Sequence, residues 1–369
     1  MKKVVFVGGN LYPYRVGGYE VFNYYLFKQI TDSTITAQIL NNYPRPDYCS
    51  KGDYKRANIR QLKSFNSVFY FLYFLFARNK KQMLLVLSYA RSRWIHLWPY
   101  VLLKKMCGLS YIVIIHGGGL TKWDIPFVHK KFLLNADEII GISHPICKEY
   151  GKRTGRELQY IPPIIPFENY TGDRSTIRQK YKIEQDAFVF LIVGSIKGLK
   201  NPQAPIQAAH ILGATYLKDK NIHFLFAGDG VMRTEIETLI QEFELAESVT
   251  LLGNVSRDDL SSIYFIADAY IMSSDFEGTP ISMLEAMYNS LLILGSNVSG
   301  INSVLEHDSN GFLFEKNNYN QLADYIKKLV ELDEKRKQSL KNRARNYLLE
   351  NFNYPNLLEH YKLIINKKR

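Results

Sequence analysis

Ser273-Ser274-Asp275-Phe276-Glu277-Gly278-Thr279-Pro280-Ile281-Ser282-Met283-Leu284-Glu285-Ala286-Met287 is the stretch on which the reading of this chain turns. Ahead of it, Ala267 to Met272 is a short apolar run of strand type, and behind it Ile281 to Tyr288 reads as a helix. Thr279 has the chemistry of an N-cap and Pro280 that of a first helical residue, since proline lacks the N–H that would go unpaired there. A loop carrying Glu277 and Gly278 thus feeds a helix whose N–H groups and positive dipole end face the strand's carboxyl edge. In an open α/β sheet that edge is where anionic ligands sit. Glu285 falls four residues past Ile281 on the same helix face, about 6 Å further along the axis.

Two carboxylates therefore flank a helix start suited to phosphate. One can accept hydrogen bonds from hexose hydroxyls and the other from ribose hydroxyls, an arrangement that fits a nucleotide sugar. Two Glu at this spacing also arise by chance about once in a chain of this length. The strand–loop–helix context, and not the spacing, carries the inference.

A chain of 369 residues has room for two domains, each with its own core. Its apolar content of 46% and charged content of 22% are those of a globular protein and exclude a disordered tail or a fibrous chain. Cys49, Cys107 and Cys147 show no metal-ligand spacing, which implies reduced thiols in a cytoplasmic protein. Met1 to Gly9 reads as a first strand and not as a signal peptide, and no apolar run reaches the roughly 18 residues that a membrane span needs.

Charge is distributed unevenly. Residues 1–170 carry a net +14 and the remainder −2, which together make the net +12 of the chain. Between Asp53 and Asp124 there are twelve Lys+Arg and no acidic residue. The aromatic run Phe69–Phe76 lies in this window, with Arg78, Lys80 and Lys81 behind it, and Trp94 and Trp98 follow beside Arg91, Arg93, Lys104 and Lys105. Cations beside aromatics fit an anionic membrane surface met from the side, without a span. A buried core helix is the other reading of the aromatic run. Nucleic acid is not expected as a partner, because no DNA- or RNA-binding motif accompanies the cations.

Strands are expected at Val4–Val7, Thr34–Leu40, Met83–Leu87, Tyr111–Ile115 and Glu138–Ile142. A second series follows at Phe188–Val193, Ile222–Ala227, Val249–Leu252, Ala269–Met272 and Leu291–Leu294. Helical segments alternate with them, which makes each half a parallel sheet covered on both faces. The stiff segment Ile161-Pro162-Pro163-Ile164-Ile165-Pro166 reads as an interdomain linker. Residues 1–165 are then one domain and 166–349 the other, with a C-terminal helix of about 350–369 expected to pack back on the first.

Several glycine-bearing loops fall at carboxyl ends of these strands. Gly17-Gly18 precedes a helix from about Tyr19, and glycines there let backbone N–H groups approach a phosphate or sugar, although a loop needing positive φ would also use them. His116-Gly117-Gly118-Gly119 follows the fifth strand. Gly194-Ser195-Ile196-Lys197-Gly198-Leu199-Lys200-Asn201-Pro202 puts Lys200 just before a helix start, where an ammonium can neutralise a diphosphate. Gly228-Asp229-Gly230 and Gly253-Asn254-Val255 end the next two strands. The G-x-G-x-x-G spacing of a dinucleotide-binding oxidoreductase is absent.

Taken in series, these motifs resemble the GT-B-fold retaining glycosyltransferases of family 4, the glycosyl transferases group 1 that build bacterial polysaccharides and glycolipids. The resemblance spans nearly the whole chain, from Gly17-Gly18-Tyr19-Glu20 through His116-Gly117, Ala136-Asp137-Glu138 and Glu277-Gly278-Thr279-Pro280 to Ser299-Gly300. It implies two doubly wound Rossmann-like α/β domains facing each other across a cleft. It also implies transfer of a hexose from a UDP- or GDP-linked sugar to a saccharide or lipid-linked acceptor, with retention and without metal or other cofactor.

By the same resemblance Glu277 holds the donor hexose, Lys200 the diphosphate and His116 the donor sugar, and these three form the catalytic set. Gly18, Ser195, Lys197, Gly228, Asn254, Val255, Gly278, Thr279, Pro280, Ile281, Ser282 and Glu285 complete the donor site, with Glu285 on the ribose. The chain would act at the inner face of the cytoplasmic membrane. Two departures stand out: Ser195 occupies the place of the family's usual arginine, and Pro163-Ile164-Ile165-Pro166 replaces the usual Asn-Gly-Val-Asp. The first of these leaves open an inactive partner subunit of another transferase. Asp275-Phe276-Glu277 also has the form of a metal-binding D-x-E of another transferase fold.

Overall fold

The computed structural model describes residues 2–7, 22, 23, 26, 30, 35–41, 59–61, 67–77, 83–89, 97–116, 125–164, 167, 170 and 172–367. The chain divides into two compact units, Met1–Pro166 with Phe352–Arg369, and Phe167–Asn351.

The first unit is built on seven parallel strands: β1 Lys2–Val7, β2 Ile35–Asn41, β3 Ile59–Gln61, β4 Met83–Tyr89, β5 Ser110–Ile115, β6 Glu138–Gly141 and β7 Gln159–Tyr160. Their order is β3-β2-β1-β4-β5-β6-β7. The β4 run Met-Leu-Leu-Val-Leu and the β5 run Tyr-Ile-Val-Ile-Ile are buried throughout, as strands covered on both faces must be. Helix Trp98–Cys107 opens with Pro99 in its first turn and stops at Gly108 in the left-handed region. It is anchored at Asp137, whose carboxylate pairs with Lys104 at 2.7 Å and accepts the Tyr111 N–H at 2.8 Å. Helix Tyr354–Lys367 returns to this unit, placing Leu357, Tyr361, Ile364 and Ile365 in its core.

The aromatic run forms helix Ser67–Leu75. Phe74 lies in the core with Phe71, Tyr73 and Leu75 packed against it, whereas Leu72 and Phe76 are exposed. The core reading of this run thus holds for Phe74 and the side chains packed against it. The expected linker needs correction. Ile161 and Ile164 are buried core residues, and the Tyr361 hydroxyl donates to the Ile161 carbonyl at 3.2 Å. Residues 161–164 are a wall of the first unit. The basic segment Lys51 to Lys63 yields the short strand β3, which its charge conceals. Among the described residues no helix is long and apolar enough to cross a membrane.

The second unit has six parallel strands: β8 Phe188–Val193, β9 Ile222–Ala227, β10 Val249–Leu251, β11 Ala269–Met272, β12 Leu292–Ser296 and β13 Phe312–Phe314. The order β10-β9-β8-β11-β12-β13 shows the chain winding outward from β8 to β10 and then returning to β11 on the other side. The reversal puts a topological switch point between β8 and β11, the place in such sheets where a crevice opens. These two strands share only two rungs, Ala269↔Phe190 and Tyr270↔Leu191.

Below those rungs the pair is clamped. Arg178, 2% exposed on helix Arg174–Lys180, pairs with Asp268 at 3.0 Å. Its guanidinium also donates to the carbonyls of Ala187, Gln185 and Ile266 at 2.8 Å each. Asp268 in turn accepts the Val189 N–H at 2.9 Å. One buried cation therefore satisfies the carbonyls that lead into both strands. Removing one partner of such a pair costs about 3–5 kcal/mol. Arg178→Met is expected to lower the unfolding free energy of the second unit in urea by that order, and an unchanged midpoint would show the clamp to be dispensable.

Candidate functional site

Backbone stitches from loop to loop position the site at the carboxyl edge of the second sheet. After β8, the Gly194 N–H donates to Ala227 O at 3.1 Å and the Ile196 N–H to Asp229 O at 3.0 Å. Gly228 must be glycine here, because with φ +157 its Cβ would lie 1.9 Å from the Gly194 carbonyl oxygen. The loop then tightens into a single turn, Gly198–Lys200, and Asn201 follows with φ +45.

After β11, the Ser273 hydroxyl reaches Asn201 O at 2.8 Å and the Asp275 N–H donates to Leu199 O at 2.9 Å. Further on, Ser296 Oγ donates to Ser274 O at 2.5 Å and the Glu277 N–H to Ser299 O at 3.2 Å. Gly300, at φ +91, passes so close that a Cβ would come within 2.2 Å of Glu277 O.

Fixed in this way, Lys200 Nζ stands 2.5 Å from Glu277 Oε1, and the same oxygen accepts from Ser274 Oγ at 2.6 Å. The ammonium and carboxylate read as ligand-binding in the sequence are thus neighbours, Glu277 largely buried and Lys200 less so. Beside them a crevice opens between β8 and β11, lined by Val193, Gly194, Ser195, Lys200, Met272 and Ser274 among others.

The helix start differs from expectation. Helix Ile281–Tyr288 has the expected bounds, but Pro280 stands at the cap position and no side chain caps it. Pro280 at φ −80, ψ 71 lies outside the helical region, so Thr279 sits too far back to cap. The Ile281 N–H donates to Thr279 O at 2.9 Å and the Met283 N–H to Pro280 O at 3.0 Å. These two N–H groups are engaged within the turn.

Glu285 is buried on this helix and accepts from the Tyr264 hydroxyl at 2.9 Å. Ser282 accepts from the Tyr270 hydroxyl at 2.7 Å, and burial raises the pKa of that phenol far above its ordinary value. Ser195 and Lys197 are both exposed on the β8 loop, joined by the Lys197 N–H to Ser195 O at 2.9 Å. Gly228 bridges to Gly253, which carries the exposed Asn254 and the half-buried Val255 to the neighbouring loop. Gly278 and Thr279 lie on the loop between Glu277 and the helix.

The sequence reading missed Lys316 and Asn317, on the loop after β13. Lys316 pairs with Asp275 at 3.0 Å, and Asn317 accepts from Asn201 at 3.1 Å. They tie the loop after β13 to the Lys200 and Glu277 loops, and β13 was itself too short to be expected. Of the two carboxylates of the D-x-E, Asp275 pairs with Lys316 and Glu277 with Lys200. Among the described residues no group of three His, Cys, Asp or Glu could hold a metal ion.

In the first unit, His116 follows β5 and packs its ring 5.0 Å from that of Phe22. Its ring nitrogens are shut off from solvent although the residue as a whole is partly exposed, and burial pushes its pKa down to about 3. It is a neutral imidazole at physiological pH. Gly18 lies outside the described residues.

The chain shares its fold with solved GT-B glycosyltransferase structures. Anabaena HepE, solved with UDP and glucose, superposes with a TM-score of 0.80 at 15% identity over 100% of both chains. WaaG, a glycosyltransferase of lipopolysaccharide biosynthesis, gives 0.70 at 16% identity over 98% of this chain and 99% of that one. Residues 173–347 match the family glycosyl transferases group 1, and the second unit belongs to that family.

Among relatives, the UDP-Gal:alpha-D-GlcNAc-diphosphoundecaprenol alpha-1,3-galactosyltransferase of Escherichia coli is 28% identical over 57% of this chain. The match spans 56% of that protein's length. The N-acetyl-alpha-D-glucosaminyl L-malate synthase of Bacillus anthracis is 23% identical over 71% of this chain and 70% of its own.

The neutral His116 gives the first unit a pH dependence of defined sign. Unfolding returns the imidazole to an ordinary pKa near 6.5, so below that pH the unfolded chain binds more protons and stability falls as pH drops toward 3. The slope is at most about 1.4 kcal/mol per pH unit. His223, lowered to about 4 chiefly by burial and then by Arg178, acts in the same sense in the second unit. Urea titrations between pH 7 and pH 4 should show His116→Gln flattening the pH dependence of the first unit while that of the second persists. An unaltered slope would show that the imidazole is protonated in the fold.

Proposed function

We propose that this chain is a glycosyltransferase that moves a hexose from a nucleoside-diphosphate sugar, UDP- or GDP-linked, to a saccharide or lipid-linked acceptor. The observation that carries this reading is the pairing of Lys200 with Glu277 beside the β8–β11 switch point. A departing nucleoside diphosphate gains negative charge, and an ammonium fixed by the turn Gly198–Lys200 meets that charge without reorganising. Glu277, released from Lys200, accepts hydrogen bonds from sugar hydroxyls and holds the hexose near the bond that breaks. The buried Glu285 takes the ribose, and His116 is assigned to the donor sugar on the family resemblance alone.

Transfer is proposed to retain the anomeric configuration and to need no metal. The match to group 1 and the UDP and glucose held by the HepE structure support the donor class. The named substrate of the E. coli relative, a sugar on diphosphoundecaprenol, supports a lipid-linked acceptor and a place in cell-surface polysaccharide assembly. Such an acceptor is met at a membrane, and the basic surplus of residues 1–170 favours peripheral association with anionic lipid at the cytoplasmic face.

Screening UDP- and GDP-sugars with a membrane lipid extract, read by mass spectrometry, tests the reaction. Glu277→Gln and Lys200→Ala are each expected to lose on the order of 100-fold in turnover while unfolding at the wild-type temperature. Near-normal activity in either variant would sink the assignment. Glu285→Ala is expected mainly to weaken nucleoside diphosphate binding.

Ser195→Arg tests the departure at the β8 loop. A guanidinium there can make a charge-assisted, bidentate contact with diphosphate, so calorimetry with UDP or GDP should find equal or tighter binding. Loss of binding would mean that the exposed loop is shaped for another ligand and would favour the inactive-partner reading.

A further inference from the structure

Three consecutive helices of the first unit, Ser67–Leu75, Trp98–Cys107 and Phe127–Asn135, lie side by side. The Phe71 and Trp98 rings, 5.4 Å apart, join the first two. The third is held through Phe132, whose ring lies 6.0 Å from that of Tyr100 on the second. Their inner faces supply core residues, among them Phe74, Leu103 and Phe132. Their outer faces are unusual for a surface exposed to water. Leu72 and Phe76, Leu102 and Met106, and Phe127 and Leu134 are all exposed, with Phe76 at 78%, Phe127 at 70% and Met106 at 58%. Six large apolar side chains on adjacent elements form a patch that marks an interaction surface, where scattered single residues would not.

The charge on the same three helices is of one sign. None of them contains an acidic residue, and they carry Lys104, Lys105, Lys130 and Lys131. Lys104 is committed to Asp137. Lys105, Lys130 and Lys131 are exposed, and the Lys131 ammonium sits 4.5 Å from the centre of the Phe127 ring. Apolar side chains with cations interspersed and no carboxylate complement an anionic bilayer: the lysines meet lipid headgroups while the aromatics and Met106 enter the acyl boundary.

We infer that the outer face of these three helices is the surface by which the chain docks on anionic lipid. The inference rests on the peripheral association proposed above and locates it, independently of which donor or acceptor the site takes. It also moves the contact away from the aromatic run alone, since Phe71, Tyr73 and Phe74 are turned inward, while Leu72 and, just past the helix end, Phe76 are exposed.

Co-sedimentation of the full chain with vesicles of phosphatidylcholine, with and without phosphatidylglycerol, tests the surface. Binding is expected to need phosphatidylglycerol and to weaken in high salt. Each lysine contributes about fivefold, so the triple variant Lys105→Glu, Lys130→Glu, Lys131→Glu should lose about 100-fold or more. A second variant, Phe76→Ser, Met106→Ser, Phe127→Ser, removes side chains that are already exposed and should abolish the binding that survives high salt.

Calorimetry with UDP or GDP and thermal unfolding should be unchanged in both variants, which separates a failure of the surface from a failure of the donor site. Wild-type binding retained by both variants would overturn the proposal, as would the absence of binding to either vesicle. Dimerisation of the lipid-free chain lost in the serine variant would overturn it in favour of a second copy as the occupant.

Discussion

The second unit depends on how β8 and β11 meet. Two rungs join them, and below those rungs Arg178 and Asp268 gather the carbonyls and N–H groups leading into both strands. Above them the strands are unpaired, and the loops after Val193 and Met272 begin where a ladder would otherwise continue. A parallel sheet usually closes such a gap with more rungs. Here the base is clamped and the carboxyl end is open, so the crevice follows from pairing geometry before any ligand is considered. The stitches from Gly194 to Ala227, Asp275 to Leu199 and Glu277 to Ser299 then give irregular loops the rigidity of a sheet.

That rigidity explains why two opposite charges can be held together in the absence of substrate. The Lys200–Glu277 pair makes the crevice locally neutral. An anion that engages Lys200 must compete with Glu277, and the displaced carboxylate, only 10% exposed, needs hydrogen-bond donors in its place. A nucleoside diphosphate bearing a hexose brings the anion and the hydroxyl donors in one molecule. A bare anion brings only the first. On the function proposed above, the pairing itself would favour the complete donor over a bare anion.

How much of this was legible in the sequence follows from the range of each interaction. The central strands were readable because burial on both faces demands unbroken apolar runs such as Phe188–Val193 and Ile222–Ala227, whose bounds match the structure. The short strands β3, β7 and β13 were not, because two or three residues leave no periodicity to detect, whereas the equally short β10 was marked by the glycine loop that follows it. Lys200 and Glu277 were found from their places at strand ends, each with local glycines to mark the loop. Lys316 and Asn317 carry no local signal, since their partners are distant in sequence and meet them only after the sheet forms. The cap at Thr279 was misread for a physical reason. A threonine–proline pair has the composition of a helix start, but Pro280 takes a non-helical backbone and itself occupies the cap position before Ile281. Residues 161–164 of the Pro-rich run were misread because stiffness alone does not say whether a segment is free or docked. The buried Ile161 and Ile164 decide that it is docked.

The helix Tyr354–Lys367 has a consequence for how the chain acquires its structure. It supplies Leu357, Tyr361, Ile364 and Ile365 to the core of the first unit, and its Tyr361 ring lies 5.7 Å from that of Phe22. The second unit is therefore an insertion within the first. As the polypeptide leaves the ribosome, the first unit must wait with part of its core uncovered until all of Phe167–Asn351 has been made. The second unit has its complete set of strands in one continuous stretch and can fold during that interval. The order of emergence and the order of completion are thus reversed: the half that begins first finishes last, and a chain shortened by this one helix would damage the half most distant from it in sequence.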